Sequence, residues 1–131
     1  MSKILNVSDV HLGHHKTKTD YIISNLKSVI HYLIENENID LLSIAGDLFD
    51  RRLWSDDSDI GLILSYIFEL IQLCHKKKTS IRILKGTPSH DWNQLNLIKI
   101  IYENIGEKVD FKYFDDVAIE YNERLKKTIL Y

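Results

Sequence analysis

Three short polar segments hold side chains able to do chemistry: Asp9-Val10-His11, Gly46-Asp47-Leu48-Phe49-Asp50 and Gly86-Thr87-Pro88-Ser89-His90-Asp91. Each follows an apolar run that reads as a strand. Carboxylates and imidazoles sent from successive strand ends into one crevice are what a two-metal phosphoester-cleaving site requires. Asp9 and His11, two residues apart, pair an oxygen donor with a nitrogen donor, a set suited to Mn2+, Fe2+ or Zn2+. Asp47 follows a glycine that lets the backbone turn sharply, so its carboxylate projects past the strand end and is placed to bridge two cations. Asp50 and Arg51 read as supports for the ligands rather than ligands. His90 is the candidate proton donor to a leaving oxygen, with Asp91 beside it to orient the ring, and Ser89 offers a weak neutral oxygen to a second metal. Taken singly, each segment is also an ordinary turn, with Asp9 or Asp47 capping it and His11 a loop histidine. A nucleophilic Ser89 with His90 as its base is the rival chemistry. Adjacent side chains rarely aim at each other, however, and the chain has no Gly-x-Ser-x-Gly elbow.

The elements that must position these groups alternate. Lys3–Val7, Asp40–Ala45 and Ile81–Leu84 read as short buried strands. Between them, a helix capped by Thr19 or Asp20 runs to about Glu37, with Ile22, Ile23, Leu26, Val29, Ile30, Leu33 and Ile34 on one stripe. A second helix runs from about Asp57 to Lys77, and a third from Asn93 to Asn104. This βαβαβα order predicts a parallel sheet with right-handed crossovers. Val109–Tyr113, Val117–Tyr121 and Thr128–Tyr131 then read as the start of a strand-rich second half, with a turn at Asn122-Glu123-Arg124. The last of these is a strand with nothing after it to cover its edge, so the expectation is an N-terminal portion of a domain, residues 1–131, incomplete at its C-terminus.

A chain of 131 residues fits one core. Its net charge of −2 argues against a uniformly basic nucleic-acid binder, though not against a nuclease whose bound cations supply the positive charge. Lys76-Lys77-Lys78 reads as a solvated helix end. The single cysteine, Cys74, reads as a small buried hydrophobe, and one cysteine fits a reducing compartment; the expectation is a cytoplasmic protein, in the host cytoplasm if the chain is viral.

Together the three segments resemble the calcineurin-like metallophosphoesterase superfamily, whose pattern is Asp-x-His, then Gly-Asp-x-x-Asp, then Gly-Asn-His-Asp/Glu. Ser8-Asp9-Val10-His11-Leu12-Gly13 and Gly46-Asp47-Leu48-Phe49-Asp50-Arg51 look most like its DNA-repair branch, that of the SbcD-type and phage recombination endonuclease subunits. The resemblance implies part of an αββα sandwich and a Mn2+-dependent phosphodiesterase, with Mg2+ or another divalent ion as an alternative. It assigns Asp9 and His11 to a first metal, Asp47 to a bridge between two, and His90 to protonation of the leaving group. It further implies DNA as substrate, an ABC-type ATPase (SbcC-like) as partner, and a possible homodimer. Two departures stand out: Ser89 occupies the position of a metal-binding asparagine, and no histidine follows Asp91 to match the family's later ligands. His31 and His75 read as helix residues outside the site, while His14 and His15, which follow the first segment, read either as exposed on the loop (the favoured reading) or as facing the cleft. Two other readings therefore stay open, a phosphatase or cyclic-nucleotide phosphodiesterase on the same scaffold, and a truncated chain without catalysis.

Overall fold

The computed structural model describes residues 1–106 and 108–131. Four short strands, β1 (Ile4–Val7), β2 (Leu41–Ala45), β3 (Ser80–Leu84) and β4 (Phe111–Phe114), pair in parallel in the order β1-β2-β3-β4. Ile4 lies opposite Leu41, Leu41 opposite Ser80, and Ile81 opposite Phe111. Strand neighbours that follow chain order, joined by right-handed crossovers, put every connecting helix on one face. The first connection is a continuous helix made of α1 (Thr19–Leu26), a π turn (Lys27–His31) and α2 (Tyr32–Asn36). The second is α3 (Ile60–Lys77), the third α4 (Pro88–Asp91) with α5 (Leu95–Asn104).

Side-chain alternation along the strands divides the sheet's two faces. Leu42, Ile44, Ile81, Ile83, Phe111 and Tyr113 pack with Ile34, Ile63, Ile67, Ile71 and Ile98 in the core under the helices. The opposite face carries Leu41, Ser43 and Arg82, and is covered in part by the antiparallel hairpin β5 (Ile119–Asn122)–β6 (Lys127–Leu130). Arg82, 2% exposed, is the rivet. Its Nε and Nη2 donate to both oxygens of Glu120 at 2.7 and 2.8 Å, and Nη2 also donates to Asp110. Phe114 stacks on Tyr131 beside this pair.

Several boundaries differ from the sequence reading. The strand expected at Val109–Tyr113, at the start of the strand-rich second half, is Phe111–Phe114 and joins the first sheet. As β4 it is the fourth member of the parallel sheet, because α5 returns the chain as one more crossover. Thr19 is the first helical residue and is buried, with no side chain capping α1 among the described residues. The helix expected from Asp57 starts at Ile60, because the Asp57 carboxylate is taken by Arg51 and by the Asp59 amide. Among the described residues no helix is long and apolar enough to cross a membrane.

The Arg82 guanidinium, with Lys112, outweighs the desolvation of Glu120 and holds its carboxyl near about 2, against 4.5 ordinarily. A depressed carboxyl adds stability that is complete above its unfolded value and is lost as pH falls through the folded one. Glu120→Gln should therefore cost about 3 kcal/mol in urea unfolding at pH 7, the scale for breaking a buried ion pair. The gap between variant and parent should close as pH drops from 4.5 toward 2; a gap independent of pH would show that Glu120 is not the ionised partner.

Candidate metal centre

All three polar segments leave the C-terminal ends of neighbouring parallel strands, where an open α/β sheet presents its crevice. The first two are zipped by backbone: Asp9 N donates to Gly46 O, His11 N to Asp47 O, Leu12 N to Leu48 O, and Asp50 N back to Leu12 O, at 2.9–3.3 Å. The second and third are joined by the Asp91 carboxylate. Its Oδ2 accepts from the amides of Asp47 (3.1 Å) and Gly86 (2.7 Å), and its Oδ1 from Phe49 (2.9 Å), all with the side chain fully buried. The sequence reading gave Asp91 the task of orienting His90; the structure gives it three backbone amides instead, because α4 turns the residue inward beneath the loops. Pro88 begins that turn, where its missing N–H costs nothing.

The loops approach so closely that glycine is required at their crossing. A Cβ on Gly86 would fall onto the backbone nitrogen and Oδ1 of Asp47, and one on Gly46 would sit 3.0 Å from Gly86 Cα. Gly46 also has φ +85°. Asp9, His11 and Asp47 themselves hold φ between 50° and 54°, a left-handed conformation that non-glycine residues seldom adopt and that clusters at functional sites.

These constraints aim His11, Asp47 and His90 at one point: one donor atom from each lies within 4.8 Å of the other two. The His11 and His90 rings meet edge to face, 4.9 Å between centroids. Asp47 Oδ2 is 3.0 Å from His90 Nδ1 and accepts the Thr87 hydroxyl, while Oδ1 accepts the Thr87 amide at 2.6 Å. It is thus Asp47, not Asp91, that orients His90. Asp50 Oδ1 lies 3.0 Å from His11 Nδ1, yet that buried nitrogen makes no well-aligned hydrogen bond. The His11 imidazole, one ring nitrogen of which lacks an aligned partner, and the Asp47 carboxylate fit a borderline divalent cation, with the His90 ring held against Asp47 beside them. Asp9 stands at the rim, its side chain 70% exposed and 4.0 Å from His11 Nε2, outside the converging trio. Ser89 is exposed on α4.

Sequence reasoning missed three parts. Thr87 anchors Asp47. Gln94, buried, accepts from Leu53 N at 2.6 Å and donates to Arg51 O at 2.9 Å, fixing the loop after Asp50 to the start of α5; a lone glutamine gives no signal in the sequence. His14 and His15, for which the sequence favours loop exposure over facing the cleft, converge with Asp50 in a second group of candidate ligands. His14 Nδ1 already accepts the amides of Lys16 and Thr17, which makes this second group the poorer cation site. Arg51 supports the first loop, donating to Gly13 O at 3.0 Å and pairing with Asp57.

The sequence profile of the calcineurin-like phosphoesterase family matches residues 2–113. The chain belongs to that family, and the α/β sheet with its strand-end cluster is the corresponding architecture: a metal-dependent phosphoesterase. No curated relative matches the chain.

Two outcomes follow from this geometry. Gly86→Ala should abolish divalent-ion binding measured by calorimetry, whereas Gly61→Ala, whose added methyl meets nothing within 4 Å, should bind as the parent does. The second concerns pH. The hydrogen bond to Asp47 raises His90 above its ordinary 6.5, and burial, which would raise Asp47, is outweighed by His90 and Thr87, so Asp47 is lowered. Protonated His90 and the Asp47 carboxylate form an ion pair that is lost as pH rises through the raised histidine value. Cation affinity should therefore tighten with rising pH through and beyond 6.5, with proton uptake by the buffer; a flat profile would place the ion elsewhere.

Proposed function

We propose that the protein is a DNA phosphodiesterase of the SbcD type, working with Mn2+ held by His11 and Asp47 with Asp9 at the rim. The single observation behind this reading is the convergence of His11, Asp47 and His90 at the ends of three parallel strands. The flanks Ser8-Asp9-Val10-His11-Leu12-Gly13 and Gly46-Asp47-Leu48-Phe49-Asp50-Arg51 support the DNA-repair branch over phosphatases of the same family. When bound, the cation supplies Lewis-acid polarisation of the phosphoryl oxygens. The chain's own groups do the rest. The Asp47 carboxylate fixes the His90 ring and holds a proton on it to higher pH than an ordinary imidazole would. That proton is then available to the oxygen that leaves as a water adds to phosphorus and the P–O ester bond breaks, the task of a general acid. Asp50 backs His11 from the other side. An ABC-type ATPase is the partner this reading carries with it, and the cytoplasm is its compartment.

Hydrolysis of DNA and of bis(p-nitrophenyl) phosphate should depend on Mn2+ and fall by about 100-fold or more in His90→Ala, the usual worth of a general acid. Turnover of p-nitrophenyl phosphate without turnover of either diester would contradict the assignment in favour of a phosphatase.

A further inference from the structure

Beside the metal centre the surface carries two large aromatics that the fold does not use. Trp54 and Trp92 are 56% and 44% exposed, and the Arg52 guanidinium lies between them, 3.9 Å over the Trp54 ring and 5.6 Å from that of Trp92. Trp92 is two residues from His90, and Arg52 two residues from Asp50. Arg52 is exposed, and among the described residues no carboxylate lies within ion-pair distance of it. The backbone beneath is rigid: Gln94 holds Arg51 and Leu53 on one side, and Trp92 N donates to Pro88 O on the other. Trp92 also keeps φ 48° and ψ −137°, a conformation strained for a bulky aromatic, and this holds it at the surface next to the catalytic loop. An exposed cation–π stack contributes little to folding. Open aromatic faces next to an unpaired cation are, however, what unpaired bases and their phosphates bind.

We propose that Trp54, Arg52 and Trp92 form a stacking platform for an unpaired nucleobase of single-stranded DNA, whose adjacent phosphodiester enters the site formed by His11, Asp47 and His90. This deepens the DNA phosphodiesterase reading and rests on it for the choice of DNA. The indole faces take the base without regard to sequence, and Arg52 takes a backbone phosphate.

The chain has only two tryptophans, both in the platform, so emission excited selectively from tryptophan, and not from the seven tyrosines, reports on this surface. The test is a fluorescence titration of the full chain in EDTA, so that nothing is cleaved, with a thymidine octamer and with an abasic octamer of equal charge. The thymidine octamer should quench emission saturably and bind at least about fivefold tighter than the abasic one. Trp54→Ala should lose at least about fivefold in thymidine-octamer affinity while cleaving bis(p-nitrophenyl) phosphate at the parent rate. No quenching, equal binding of the two octamers, or unchanged affinity in Trp54→Ala would each overturn the platform. Tighter binding of a uridine ribo-octamer than of the thymidine octamer would overturn the choice of DNA. Failure of diester cleavage in the parent chain would contradict the phosphodiesterase reading separately, since the titration needs no turnover.

Discussion

A single buried carboxylate sets the spacing of everything at the strand ends. Asp91 accepts three amides that belong to two different loops, at Asp47, Phe49 and Gly86, and it does so with no exposure to water. Backbone donors this deep must find partners, and a charged acceptor is among the strongest available. Once those amides are fixed, Gly86 is pressed against Asp47, and Asp47 has one direction left for its carboxylate. Thr87 and His90 then meet that carboxylate from the third loop, while backbone pairing brings in His11 from the first.

The strain of the site is explained by the same closure. Three non-glycine residues, Asp9, His11 and Asp47, hold left-handed backbone conformations within five degrees of one another in φ. Each such residue costs free energy, and the conformations persist because the zipped loops leave the backbone no alternative. Short strands with buried faces supply the rigid base, and the Arg82–Glu120 pair seals part of the second face without touching the metal centre. The site and the rivet occupy different parts of the sheet: His11, Asp47 and His90 follow strand ends, while Arg82 lies mid-strand in β3.

The strand–helix alternation and the three chemical segments were legible because each depends on local pattern: apolar runs of four or five residues ended by Gly46, Gly86 or Ser8, then donors. The pairing of β4 was not legible, since Val109–Tyr113 looks the same in a parallel sheet as in a hairpin and only the length of α5 decides. The role of Asp91 was also hidden. Its neighbour in sequence is His90, but α4 sends the two side chains in different directions, and the amides it satisfies are up to 44 residues away. Gln94 and the convergence of His14 and His15 on Asp50 were invisible for the same reason: long-range contacts leave no periodic trace.

The chemistry at the strand ends depends on one cation position. Anomalous scattering from a crystal soaked in Mn2+ measures it directly. The expected result is a peak within coordination distance of His11 and Asp47, with His90 still on the Asp47 carboxylate and the Asp91 carboxylate still bound to its three amides. A peak at His14, His15 and Asp50 alone, or none near Asp47, would contradict it.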